Sequence, residues 1–362
     1  MDQKLLGYTS PEVMKQRRAW AMGILVCFLA VTVGIVVFAW KRSRRLRQEL
    51  AEHVAAGTPR ARIYRFLFFC LFPAGTSIFV WSYYPLLRGL VIAFQDYRIV
   101  KGTEWVGLDN FISVFTQPIF WKSLINSFLY VGLSILIGFF IPIFLAISLN
   151  EIPRFKVFFR TVFYLPAMTS GIVIALLWRQ FYDKSETGLL NSLLAPIING
   201  INALLGTQIP IANDWLGNPS LAMFAVVLPG IWAGAGPGSI LYLAALKNIP
   251  DERYEAADLD GATWWQKVLR ITLPGLKPLI LINLLGVFIA GFKAMENIFV
   301  LTGGGPLYAT HTIGLEVWTN AFMFLKFGYA TAAAWVMGAI LIGFTLIQIR
   351  NLLKMRFGSA KI

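Results

Sequence analysis

The sequence predicts an all-α integral membrane protein with seven spans, and three observations predict it. Of 362 residues, 57% are hydrophobic and only 14% are charged, against roughly a quarter charged in an ordinary soluble domain. Mean hydropathy is +0.66. A soluble chain of this length would bury a large core but would still need more charge to cover its surface. Charge-free apolar windows recur at about 20 residues, the length a helix needs to cross the hydrocarbon. Unbroken runs of that length are too long for barrel strands, so the spans are helical.

Taken in order, the windows cover residues 19–40, 66–87, 123–150 and 161–178, then a helix within 215–246 starting near Ser220. The sixth starts near Pro278 and accommodates Lys293 and Glu296 before reaching Thr302, and the seventh covers 327–349. Window 19–40 is too long for a cleaved signal peptide, and a basic stop-transfer run follows it. A polar, basic segment, 41–65, separates this extra N-terminal span from a six-span core at 66–355. The stretch 179–220 is the largest external element.

The chain carries 32 Lys+Arg against 18 Asp+Glu, a net charge of +14. Such an excess marks either a nucleic-acid footprint or a membrane orientation signal, and its distribution decides between them. Loops 41–65, 150–160, 247–277 and 350–362 hold 20 of the 32 basic residues. The richer set is expected in the cytoplasm, which places the C-terminus inside. The run Lys41, Arg42, Arg44, Arg45 and Arg47 outweighs Lys15, Arg17 and Arg18, which places the N-terminus outside. Its excess charge also suits anionic lipid heads, and nucleic acid is not needed to explain it. Cys27 and Cys70 both lie in apolar runs without a CxxC pair, as packing residues rather than metal ligands or a disulfide.

The most informative segment is the basic-side loop at about 249–275. Asp251 and Glu252 suit the positive end of a first short helix. Gly261 sits where a helix terminus turns left-handed. Thr263 and Gln266 form a capping-box pair that starts a second helix, and Pro274 ends it. Helices this short are marginal alone, so something must dock against them. Ala256 and Ala257 leave a small-residue patch for a partner's backbone, while Trp264, Trp265, Val268 and Leu269 give the second helix an apolar side. An ordinary amphipathic loop of a polytopic protein would explain the helix and cap signals equally well.

Here the residues resemble a family. Glu255-Ala256-Ala257, Gly261 after three residues, Ile271 after nine more, then Leu273-Pro274, is similar to the "EAA" loop of binding-protein-dependent ABC importer permeases. Tyr84-Pro85-Leu86, Phe94-Gln95-Asp96-Tyr97 and Val106-Gly107-Leu108-Asp109-Asn110-Phe111 resemble the opening of the sugar-permease branch. Phe159-Arg160-Thr161, Leu165-Pro166 and Gly188-Leu189-Leu190-Asn191 resemble its middle, and Leu301 to Pro306 with Gly328-Tyr329-Ala330 its end. The match covers roughly 65–355 and is closest in pattern to the first permease of maltose and glycerol-phosphate class systems. The extra N-terminal span departs from the six-span form.

The resemblance implies a six-span type I importer core whose loop is a coupling helix seated in a cleft of the ATP-hydrolysing subunit. It implies that Glu255, Ala256, Ala257, Asp260 and Gly261 form the coupling contact and its hinge. It also implies an ATPase subunit dimer holding ATP and Mg²⁺, a second permease chain, an extracytoplasmic solute-binding protein and a sugar substrate, in the inner membrane of a bacterial-type cell. The chain itself shows no phosphate-binding GxxxxGK[ST] loop and no GxSxG elbow, so it is expected to bind no cofactor and to catalyse no reaction.

Charged residues inside a span are functional candidates. Lys293 and Glu296, three residues apart on the sixth span, are expected to share a face and to pair. With Asn297 they either contact sugar hydroxyls or join packed helices. Pro166, Pro229 and Pro237 are expected to interrupt spans four and five, with Gly234, Gly236 and Gly238 loosening the fifth. His53 and His311 lie far from any Cys or carboxylate cluster, so no metal centre is expected. A secondary transporter of a small polar solute would show paired repeats and more buried charges. A membrane-embedded glycosyltransferase would show Asp or His clustered at a membrane face. The first pattern is not evident in the sequence, and the only acidic cluster, Asp251 to Asp260, is accounted for by the loop that resembles the coupling helix.

Overall fold

The computed structural model describes residues 71–354 apart from 100, 101 and 153, with Phe69 and scattered positions between 15 and 44. The expected first span, the 41–65 segment, both cysteines and His53 therefore lie outside the described residues or only partly within them. In the second window, helical backbone runs from 71 through a wide π-turn at Phe79–Tyr83 into α1, Tyr84–Ala93.

The elements that follow are β1, Gln95–Asp96, paired antiparallel with β2, Glu104–Trp105, then α2, Asp109–Thr116. The long α3 spans Pro118–Glu151. α4, Lys156–Tyr164, is extended by a 3-10 turn at Leu165–Met168 and followed by α5, Gly171–Phe181. Next come α6, Leu189–Leu205, α7, Pro219–Leu246, and α8, Glu252–Leu259. α9 runs over Trp264–Phe292. α10 is Glu296–Thr302, α11 Ile313–Trp318 and α12 Phe327–Lys354. Among the described residues α3, α7, α9 and α12 are long and apolar enough to cross a membrane. α4 and α5 together would make a fifth span, but they are bent by 97° at Met168–Gly171.

The chain forms two contact units. One includes the described residues up to Pro118 together with Thr319–Ala339. Within it, the Asn110 amide donates to the carbonyls of Ala93 and Gln95, both at 3.0 Å. Phe94 stacks on Trp105, and Tyr97 meets Phe327 edge-on. Gly328 lies so close that a Cβ there would collide with the Gln95 carbonyl and the Asn110 side chain. Three separated motifs of the sequence thus meet at one junction.

The second unit holds Ile119–Trp318 and the described residues from Ile340 onward. Two apolar clusters build it. One joins Ile143 and Leu149 of α3 to Leu243 of α7 and to Val268 and Leu276 of α9. The other joins Tyr130 of α3 and Val226 of α7 to Ile298, Leu301 and Leu315. Without a hydrophobic force between helices in lipid, small residues allow the close approach that holds them together. Gly236 abuts the Phe163 carbonyl, Gly238 meets Pro142, and Gly291 meets Val131.

Three expectations are corrected. α7 is one uninterrupted helix of 28 residues despite Pro229 and Pro237. Its glycines act as packing surface, and the carbonyl that Pro229 leaves without its usual donor, that of Ala225, accepts the Tyr182 hydroxyl at 2.7 Å. Pro274 does not end a helix, because a wide π-turn at Val268–Thr272 precedes it and α9 continues to Phe292. Such a turn relieves the clash between a proline ring and the carbonyl four residues back. The sixth span does not continue to Thr302, because the helix stops at Phe292 and Met295, at φ −143° and ψ −50°, breaks the path before α10.

Candidate functional site

Two places in the second unit carry the chemistry singled out in the sequence. The first is the joint between α8 and α9. Asp251, Glu252 and Glu255 gather at the positive end of α8, as a helix N-terminus favours. The helix closes in a Schellman arrangement: Ala262 N–H donates to the Ala257 carbonyl at 2.9 Å and Gly261 N–H to Asp258 at 3.1 Å. Gly261 takes φ +73°, the left-handed conformation the turn requires. Two residues later the Thr263–Gln266 capping box starts α9, with Thr263 N–H donating to Gln266 Oε1 at 2.7 Å.

The joint is braced on three sides. Lys267 pairs with Asp258 at 2.6 Å. Tyr254 hydrogen-bonds Thr272 at 3.0 Å. The Trp264 indole donates to Glu151 at the end of α3, at 2.6 Å. Tyr254 and Trp264 also pack against the apolar cluster of α3, α7 and α9. Only Tyr254 and Ala257 of α8 are half-buried; the exposed residues include Glu252, Glu255, Ala256 and Leu259 on one helical face, with Arg253 and Asp258 exposed at its flanks. Leu259 is 91% exposed. Ala257 is half-buried on the other side, so the two alanines do not form one patch. The expected apolar side of the second helix divides likewise, with Val268 buried and Trp265 and Leu269 exposed.

The second place is a pair of cavities that share Tyr130, Gly230 and Ala290 as walls. One, of about 430 Å³, lies among α3, α7 and α9 and is lined by Ser134, Tyr242, Asn283 and several glycines, with no Lys, Arg, Asp or Glu in its wall. The other, of about 460 Å³, is lined by Gly171, Pro229, Lys293, Glu296 and Asn297. The three candidates read from the sequence therefore share one cavity, but not as an ion pair on one helix face. Lys293 caps the C-terminal end of α9, and Glu296 opens α10. Each charge sits at the helix end its sign favours, and among the described residues no salt bridge joins them. Asn297 donates to the Tyr130 hydroxyl at 3.2 Å and to the Val226 carbonyl at 3.1 Å, tying α10 to α3 and α7.

Tyr130, Tyr242 and Asn283 escaped the sequence reading, although an isolated amide or phenol within an apolar span was the signal available. His311, expected to lie far from any carboxylate cluster, has Nε2 at 2.8 Å from the single carboxylate of Glu316, both side chains being buried. It is one carboxylate and not a cluster, and no group of three metal-ligating side chains occurs among the described residues.

With this geometry in place, comparison with known proteins is decisive. Residues 66–354 match the model of the binding-protein-dependent transport system inner membrane component. The chain belongs to that family. The permease is 34% identical over 319 residues to a probable ABC transporter permease, YesP of Bacillus subtilis (strain 168), covering 86% of this chain and 94% of that one. It is 31% identical over 281 residues to the arabinooligosaccharides transport system permease AraP of the same organism, covering 77% and 85%. Among solved structures, the permease aligns at a TM-score of 0.66 and 27% identity with a chain of a bacterial ABC transporter involved in import of the acidic polysaccharide alginate, covering 82% and 99%. A second structure holds the alginate transporter in complex with a pentasaccharide-bound periplasmic protein, at 28% identity, the same TM-score and coverage of 79% and 93%. The permease is thus a multi-pass membrane component of a binding-protein-dependent ABC transport system.

Proposed function

We propose that this permease forms half of the translocation pathway of an ATP-driven importer for a carbohydrate, with 66–355 as the core and 1–65 as an added anchor. The observation that carries the coupling half of the reading is the outward face of α8. Glu255, Ala256 and Leu259 are exposed on a helix tied to the start of α9 by Tyr254–Thr272 and Asp258–Lys267, while Trp264 ties that start to Glu151 of α3. A helix held rigidly while one face stays open suits docking in a cleft of a separate ATPase dimer, which would hold ATP and Mg²⁺. Gly261 and Asp260 form the hinge of that contact. The permease itself catalyses nothing in this reading.

Relatives named for arabinooligosaccharides, for polygalacturonan and rhamnogalacturonan, and for multiple sugars support a carbohydrate as cargo. The paired cavities supply hydroxyl and amide partners at Tyr130, Tyr242 and Asn283, with Lys293 and Glu296 at the second. A second permease chain would close the other side of the path. A solute-binding protein would deliver sugar to 88–122 and 179–220. The C-terminus would lie in the cytoplasm and the N-terminus outside, following the basic loops. Binding of ATP would shift the population between inward- and outward-facing states.

The test is reconstitution with the partner subunits, measuring ATP hydrolysis and sugar uptake with and without binding protein. Glu255→Ala is expected to cut stimulated hydrolysis and uptake together. Unchanged rates would remove the coupling role, and uptake without an ATPase subunit would defeat the importer reading.

A further inference from the structure

α6 has 17 residues and none of them is charged. Its inner side, Leu190 and Leu194, packs on the cluster of Tyr182, Trp215 and Ala225, against which Trp178 and Leu221 also pack. Its outer side presents Leu189, Leu193, Ile197, Ile201, Leu204 and Leu205, each between 38% and 85% exposed. The near four-residue spacing makes these one stripe along the helix, about 26 Å long at 1.5 Å per residue. A helix facing water would carry Lys, Glu or Arg on such a face.

This stripe cannot fold away, because both helix ends are pinned. At the first, Asn191 is fully buried, donates to the carbonyls of Asp183, Ser185 and Asn213, and accepts the Trp215 indole N–H at 2.8 Å. At the second, Asn202 donates to the Ile209 carbonyl and accepts from Ile209 N–H and the Thr207 hydroxyl, while Gly206 turns left-handed at φ +65°.

Depth follows from what α6 sits on. Trp178 lies in the last turn of α5, and Leu221 and Ala225 lie in the first two turns of α7. These are ends of apolar membrane helices, and Trp and Tyr at such ends mark the level where hydrocarbon gives way to headgroups. The α6 stripe lies at that level, and the last turns of α5 also expose Leu176 and Leu177.

We propose that α6 is an interfacial helix, its Leu/Ile stripe sunk among the acyl chains of the leaflet where α5 ends and α7 begins. The occupant of the stripe is lipid. The proposal requires a membrane protein but not a carbohydrate cargo, so it stands or falls apart from the transport reading.

Nitroxide labels placed singly at Leu193, Ile197, Leu204 and, on the polar side, Asn199 test it in the full chain, with Cys27 and Cys70 replaced by Ser, in liposomes. Exposed positions tolerate labels without disturbing the packed side. At 193, 197 and 204, relaxation by oxygen is expected to exceed relaxation by a water-soluble nickel chelate several-fold, with the order reversed at 199. Equal chelate access at all four positions overturns the proposal. So does shielding of the stripe that appears only after binding protein or a second permease is added, since the face would then belong to that protein.

Discussion

The indole of Trp264 donates to the carboxylate of Glu151 across 2.6 Å, joining the start of α9 to the end of α3 over 113 positions of sequence. A hydrogen bond to a charged acceptor exceeds a neutral one, although exposure to water discounts it here. Trp264→Phe keeps the ring and removes the donor, and Glu151→Gln removes the charge. Each is expected to lower stability by about 1 kcal/mol, and the double variant by less than their sum. Denaturation midpoints in detergent check this, and strict additivity would mean the contact contributes nothing.

Gly261 at φ +73° makes a second prediction. Ala there pays the left-handed penalty of about 1–2 kcal/mol, whereas Asn tolerates that region better. Stimulated ATP hydrolysis should rank Gly261 above Gly261→Asn and Gly261→Ala lowest, with membrane insertion unchanged. An Ala variant as active as the parent would show that the turn is not needed.

Leu259 offers a third. With 91% of it exposed, replacing it with Asp alters little within this chain, yet a docked face that loses an apolar anchor commonly loses about tenfold or more in affinity. Leu259→Asp should therefore preserve the melting temperature of the isolated permease and weaken capture of the ATPase subunit. Titration of the two purified proteins measures it.

A fourth concerns the carbonyl of Ala225. Tyr182→Phe leaves it unsatisfied beneath Pro229, at a cost of about 1–3 kcal/mol. In a Pro229→Ala background the restored amide N–H takes its place, and the same substitution should cost much less. Thermal unfolding of the four variants reads the difference.

The last concerns Lys293 and Glu296. With each charge at its own helix end and no bridge between them, Lys293→Gln and Glu296→Gln should act additively on stability, within about 0.5 kcal/mol. A coupling above 1 kcal/mol in the double variant would restore the ion pair.

These cases show which features are legible in sequence. Gly261 and the Thr263–Gln266 box were readable because their chemistry acts between residues three or four apart. The exit of α9 at Phe292 was not, since apolar residues resume after Glu296, and Lys293 and Glu296 read as charges within one span, while the backbone turns at Met295. Pro274 misled because a π-turn at Val268–Thr272 carries the helix past it. Tyr130 and Asn283 were missed because packing at Gly138, Gly238 and Gly291 sets how the helices are rotated, and sequence does not record rotation. The meeting of Asn110 with Gly328 is visible only in three dimensions.

α9 begins three residues after the left-handed turn at Gly261 and passes Asn283, Gly286 and Ala290 in the cavity wall before it ends. Its 29 residues make a rod about 44 Å long. Pivoted at its middle, such a rod tilted by about 10° moves each tip by about 4 Å, in opposite directions. If α8 is the docking contact proposed above, a tug at Trp264 would move the Ala290 end of the cavity wall the opposite way, as the two ends of one lever.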